Sequence, residues 1–153
     1  MDIWIENRQK KEKIDRRRVR SVLRKALRRL GREDSEISLL FLDDEGIREI
    51  NRTYLNRDYP TNVISFSMTE GPFGDLNPRV LGDIVISVER SRREALESGL
   101  PPEDYQDYLL IHGLLHLLGY DHETPREQDG ECMREMEREL FYRVKGYRME
   151  GED

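Results

Sequence analysis

An α+β domain, with a mixed sheet of about four strands packed by about five helices, is what the order of hydrophobic patterns predicts. Three observations lead there. Strand-like segments alternate with helical ones through the first two thirds of the chain, and the remainder is helical in pattern. The 153 residues contain neither an internal repeat nor a low-complexity linker that would divide them, so one domain over residues 1–153 is expected.

Each element has its own signal. DIWIEN sets Ile3 and Ile5 between polar neighbours and reads as a first strand. A helix over about 13–31 follows, because Val19, Val22, Leu23, Ala26, Leu27 and Leu30 recur at three- and four-residue steps and Gly31 can end it. EISLLFLDD (36–44) is a second strand, apolar enough for a sheet interior; Asp43 or Asp44 then caps a helix over 45–55 with Ile47, Ile50 and Tyr54 on one face. NVISFSM (62–68) and LGDIVISVE (81–89) are the third and fourth strands, and the glycines and prolines of TEGPFGDLNPRV make a loop between them. RSRREALES forms a helix ended by Gly99. PPEDYQDYLLIHGLLHLLG forms another, with prolines at its entry and Gly119 at its exit. A last amphipathic helix, about 125–146, carries Met133, Met136, Leu140 and Val144.

The net charge of −6 conceals an asymmetry. Residues 8–32 hold thirteen Lys/Arg against two acids, which leaves the rest of the chain strongly acidic. Arg16, Arg17, Arg20, Arg24 and Arg28 fall largely off the apolar face of the first helix. They form either a solvated face that pairs with the acidic remainder or a surface that tracks RNA phosphates. Cys132 is the single cysteine, so a disulfide scaffold is excluded and a reducing compartment fits. No secretory leader or membrane-spanning run is evident, and the expectation is a cytoplasmic protein without a membrane partner.

All three histidines, His112, His116 and His122, stand in IHGLLHLLGYDHE. Four residues separate the first two, one helical turn on one face, where two imidazoles can chelate one cation. Six residues separate the second and third, too many for that face of a straight helix. Gly119 resolves this by allowing the chain to reverse and bring His122 back. Three nitrogen ligands with an open fourth position describe a catalytic zinc site, one that nickel, cobalt, copper or iron would also accept. Asp121, beside the third histidine, is placed to orient an imidazole. The spacing is also that of the metzincin proteases, but the residue after the first histidine is Gly113, where those enzymes carry the glutamate that serves as base. A protease is therefore the minor alternative.

HGLLHLLGYDH closely resembles the signature of the YbeY family of metal-dependent, single-strand endoribonucleases. LNRDYPTNVISF (55–66) is similar to that family's strand-entry motif, and LGDIVIS (81–87) to its Gly-Asp-Ile segment. The resemblance spans about residues 50–125 and reaches the first 35 residues only in outline. It implies an α+β fold and a zinc-type ion on His112, His116 and His122. It also implies action on ribosomal RNA, notably 3′-end maturation of the small-subunit RNA and ribosome quality control. Single-stranded or ribosomal RNA, ribosomal proteins and a ribosome-assembly GTPase would be the partners; DNA would not. One departure stands out: the family's arginine after the tyrosine is Leu55 here, with Arg57 two residues on as a substitute. Asp83 matches the family's acidic residue and is the candidate to position or deprotonate the nucleophile. Arg57 or the basic first helix would hold the RNA backbone. Tyr54, Tyr59 and Phe73 are candidates to stack on unpaired bases, whereas Phe66, within a strand, reads as core. The rival from another class is a non-enzymatic, zinc-containing ribosome-associated factor.

Overall fold

The computed structural model describes residues 2–68, 79–120 and 127–149. Its elements follow the expected order: β1 (Asp2–Asn7), α1 (Arg16–Arg29), β2 (Glu36–Leu42), α2 (Asp44–Leu55), β3 (Val63–Ser67), β4 (Val80–Ser87), α3 (Val88–Ser98), α4 (Pro102–Leu117) and α5 (Glu127–Lys145). The strands form one mixed sheet in the order β1-β2-β4-β3, parallel except for the antiparallel β3–β4 pair. The predicted α+β class is therefore the observed one. No helix among the described residues is long and apolar enough to cross a membrane.

Among the boundaries that differ from the sequence reading, two are explained by caps. The first helix starts at Arg16, because the Asp15 carboxylate accepts the Arg18 backbone N–H at 3.1 Å and terminates the chain's extended approach. The fourth strand stops at Ser87, whose hydroxyl oxygen accepts the Arg90 N–H at 3.2 Å. Strand β4 thus passes into α3 without a loop, and Val88 and Glu89 are helical rather than extended.

Residue alternation gives the sheet two different faces. Ile3, Ile37, Leu39, Phe41, Ile84 and Ile86 point to one side, where they form the main core with the apolar stripe of α1 and with α4 and α5. Leu42, Ile64 and Val85 point to the other, where Ile47 of α2 covers them in a smaller cluster. Helix α4 is enclosed on most sides, with Leu109, Leu110, Ile111, Leu114, Leu115 and Leu117 all buried, so its sequence lacks the polar stripe of a surface helix.

Part of the basic block turns inward. The Arg18 guanidinium pairs with the buried Asp107 carboxylate of α4 and donates to Gln106 Oε1 at 2.6 Å. Lys145 of α5 reaches Asp104 and Asp107, both at 2.8 Å. These contacts tie α1, α4 and α5 together at the end of α4 remote from its histidines.

Candidate functional site

His112 and His116 lie one turn apart on α4, half-buried, with their rings 4.5 Å apart and crossed at 75°. The two Nε2 atoms converge to 3.0 Å. Two nitrogens bound to one tetrahedral zinc at about 2.0–2.1 Å would stand about 3.3 Å apart, so the pair is within a few tenths of an ångström of a bidentate cradle. The other nitrogen of His112, Nδ1, lies 2.6 Å from Oε1 of Glu137 on α5. Helix α4 ends as its sequence predicts: Gly119 takes φ +94°, its N–H donates to the His116 carbonyl at 3.1 Å, and Tyr120 N–H donates to the Leu115 carbonyl at 3.0 Å. His122 and Asp121 fall outside the described residues, so the pair is what the fold assembles here.

Gly113 has a packing reason. A Cβ built on it would stand 3.0 Å from Ile84 Cγ2 and 3.2 Å from Ser65 Oγ. Helix α4 approaches the sheet closely at this residue, so a larger side chain would have to displace Ile84 or Ser65 by a few tenths of an ångström, and the Ser65 hydroxyl donates to the Gly113 carbonyl at 3.0 Å. The glutamate of a metzincin would be crowded here. A second close approach holds the strand end: a Cβ on Gly82, at φ +139°, would stand 2.0 Å from the Phe66 carbonyl oxygen.

The imidazoles open onto a cleft of about 590 Å³ between the end of α2, residues 56–62, β3 and the end of α4. Leu55, Arg57, Tyr59, Thr61 and Asn62 line it opposite the histidines. Two side chains set the shape of this wall. Asn51, 2 % exposed, donates through Nδ2 to the Tyr59 carbonyl at 2.9 Å, and its backbone carbonyl accepts the Arg57 N–H at 3.2 Å. Asn56 turns the chain in the left-handed conformation, φ +57°, between them. Asn62 Nδ2 donates to Glu94 Oε1 at 2.8 Å, and the Tyr105 hydroxyl donates to the same oxygen at 2.8 Å. Burial, then the Glu94 carboxylate, pushes the Tyr105 hydroxyl well above its ordinary pKa, which keeps it a donor.

Arg57 therefore lines one cleft with His112 and His116. Asp83 does not. It pairs in register with Phe66 and Ser38, on the face of the sheet away from α4. There it lines a separate cavity of about 640 Å³ with Trp4, Leu40, Tyr54, Phe66 and Val85. Burial raises the Asp83 pKa above the usual carboxylate value, against a hydrogen bond from Ser38. Strand parity thus sets Asp83, the expected partner of the nucleophile, on the other side of the sheet from His112 and His116. Tyr54 and Phe66, in edge contact at 5.8 Å, belong to the same far cavity; Tyr59 belongs to the histidine cleft, and Phe73 lies outside the described residues.

The basic helix is also elsewhere. Arg18 packs on Gln106 and Asp107, and at 100° per residue Asp107 points roughly 140° and 180° away from His112 and His116. Arg16 donates to the Ile5 carbonyl at 3.1 Å and Arg28 pairs with Glu33 at 3.0 Å, while Arg17 and Arg24 stay exposed and Arg20 half-buried. None of the five lines the cleft.

Sequence reasoning missed Asn51 and Glu137. The signal for Glu137 was present: it falls in register with Met133, Leu140 and Phe141, a carboxylate within the buried stripe of α5. Asn51 had a weaker one, a polar residue four positions after Ile47 on the face that α2 buries.

Fold and site together define an α+β domain whose central helix presents converging imidazoles to a polar cleft. Comparison with known proteins narrows the class. The chain belongs to the Endoribonuclease YbeY family, whose profile matches residues 4–145. Endoribonuclease YbeY of Syntrophus aciditrophicus is 54% identical over 96% of this chain and 92% of its own. That of Geobacter sulfurreducens is 50% identical over 92% and 94%. A solution structure of a Thermotoga maritima protein superposes with a TM-score of 0.66 at 23% identity, covering 94% of this chain and 89% of that one, and attests the fold.

Proposed function

We propose that the protein is a metal-dependent endoribonuclease that cleaves single-stranded RNA in the cleft between α4 and residues 56–62. The observation that supports this reading most is the convergence of the His112 and His116 Nε2 atoms at 3.0 Å, inside a polar cleft and within a family of endoribonucleases. His112, His116 and His122 would hold a zinc-type cation, nickel or another divalent transition metal being chemically acceptable. Bound there, the cation supplies charge relief to phosphate oxygens and lowers the pKa of water.

The chain's own groups do the rest. Arg57 carries a guanidinium on the wall opposite the imidazoles, suited to hold a backbone phosphate in two hydrogen bonds. It stands two residues beyond Leu55, which lines the same cleft, so a cationic side chain is kept there although the family arginine is absent. Tyr59, 52% exposed, offers a ring face on which an unpaired base can stack. The Ser65 and Ser67 hydroxyls donate to carbonyls of α4, at 3.0 and 3.3 Å, and hold the helix against β3 rather than facing substrate alone. Glycine at 113, closely packed on Ile84 and Ser65, argues against peptide hydrolysis, since the metzincin base is missing from that position. Ribosomal RNA is the proposed substrate, with small-subunit 3′-end maturation and ribosome quality control in the cytoplasm as the setting. Ribosomal proteins or an assembly GTPase are the proposed partners.

The test is cleavage of a single-stranded ribosomal RNA fragment by metal-loaded protein, by His116→Ala and by Arg57→Ala. His116→Ala should lose at least about 100-fold in rate, as loss of metal-assisted chemistry requires. Arg57→Ala should lose about 10- to 100-fold, the worth of one charge-assisted phosphate contact. Equal cleavage by all three proteins would leave a non-enzymatic ribosome-associated factor as the better reading.

A further inference from the structure

Helix α5 buries Met133, Leu140 and Phe141, and Glu137 stands among them, 5% exposed. Removing a carboxylate from water costs several kcal/mol unless it is paired and hydrogen-bonded. Such a group is kept in a buried stripe where it has a partner that needs it. The partner here is His112, whose Nδ1 lies 2.6 Å from Glu137 Oε1. An ionised carboxylate accepts hydrogen bonds and gives none, so this contact places the ring proton of a neutral His112 on Nδ1. Nε2 is then the unprotonated nitrogen, and it is the atom directed at His116 Nε2.

We infer that Glu137 is a positioning residue for the metal-binding pair: it selects the Nδ1–H tautomer of His112 and fixes the ring so that Nε2 faces the cation. The inference rests on the reading of His112 and His116 as ligands given above. It assigns the orienting acceptor of His112 to α5, in the chain segment after the histidine motif. It also gives α5 a task at the site besides closing the core. A carboxylate behind a ligating imidazole raises the basicity of that imidazole as well as holding it, and loss of such a partner weakens metal binding by about 10- to 100-fold.

Glu137→Leu, which keeps the stripe apolar, and Glu137→Gln, whose side-chain oxygen accepts the same hydrogen bond without charge, separate orientation from mere packing. Three quantities are measured against the wild-type protein: zinc affinity by competition with a chromophoric chelator, the visible spectrum of the cobalt(II) form, and the His112 tautomer by long-range ¹⁵N–¹H NMR of metal-free protein. Glu137→Leu should bind zinc about 10- to 100-fold more weakly, shift the cobalt bands and populate both His112 tautomers. Glu137→Gln should keep the Nδ1–H tautomer and fall between leucine and wild type in affinity. A folded Glu137→Leu protein with wild-type affinity and an unchanged tautomer overturns the inference. Should leucine fail to fold, a Glu137→Gln protein that binds zinc as tightly as wild type although His112 no longer favours the Nδ1–H tautomer overturns it instead. If the wild-type protein takes up no divalent metal, the ligand reading falls and this inference with it; uptake that is indifferent to position 137 removes the role of Glu137 alone.

Discussion

The two faces of the sheet carry one cavity each beside β3 and β4, and the two differ in what closes them. On the α4 side, Ser65 and Ser67 of β3 and Gly82 and Ile84 of β4 meet a helix at near contact distance, and the cleft beyond them is walled by hydrogen-bonded polar groups. On the α2 side, the helix covers Leu42, Ile64 and Val85 through Ile47 and leaves the sheet open around Trp4. Trp4 and Tyr54 stay 60% and 67% exposed around Asp83. Motifs that are neighbours in sequence are thus divided between two places. Phe66 and Ser67 adjoin in the chain and face opposite cavities, because successive side chains of a strand point to opposite sides.

Three substitutions sharpen or break this contrast. The largest effect belongs to Gly113→Glu, which drives a side chain and a charge into space already filled by Ile84 and Ser65. A loss of at least about 3 kcal/mol in denaturant unfolding is expected, by overpacking and burial of a carboxylate, and no peptidase activity should appear. A stable variant would show that the helix is not seated on the sheet as described. Next comes Asn51→Ala, which leaves the Tyr59 carbonyl without its donor and releases residues 56–62. Stability should fall by about 1–3 kcal/mol. The KM for single-stranded RNA should rise, since Arg57 and Tyr59 lose their support; an unchanged KM would detach this wall from substrate binding.

The smallest effect is that of Asp83→Asn. Burial raises the folded-state pKa of Asp83 above its ordinary value of 3.8, so the fold disfavours the ionised form. Stability therefore declines as the pH rises from 3.8 through the raised value, and the deficit persists at neutral pH. Asparagine removes it. The variant should melt slightly higher than wild type at pH 7, with the gain shrinking as the pH is lowered toward 4, and it should retain RNA cleavage. Loss of cleavage by a folded Asp83→Asn protein would contradict the separation of the two cavities.

Much of the architecture was legible because local rules sufficed. The stripe Val19, Val22, Leu23, Ala26 and Leu27 named the buried face of α1, and Gly31, Gly99 and Gly119 marked helix ends where the structure has positive φ. The register of His112 and His116 was readable for the same reason: a four-residue step on a helix is a distance in space. The placement of Asp83 was not, although its motif was. A period of two tells which residues of one strand share a face, but not which face receives which helix. The basic block was open to two readings for a related reason. Composition shows thirteen positive charges, and only packing shows that Arg18 is buried against Asp107 while its neighbours look away from the cleft.

By itself the sequence determined the elements, their order, the caps that bound them and the converging pair of imidazoles, all of which depend on contacts a few residues long. Tertiary structure decided the rest: that Arg57 meets the histidines, that Asp83 faces the opposite side, and that a glutamate from α5 stands behind His112. Such pairings join segments far apart in the chain. They are selected by how apolar faces stack and how buried polar groups find partners, and that choice belongs to the whole fold rather than to any stretch of it.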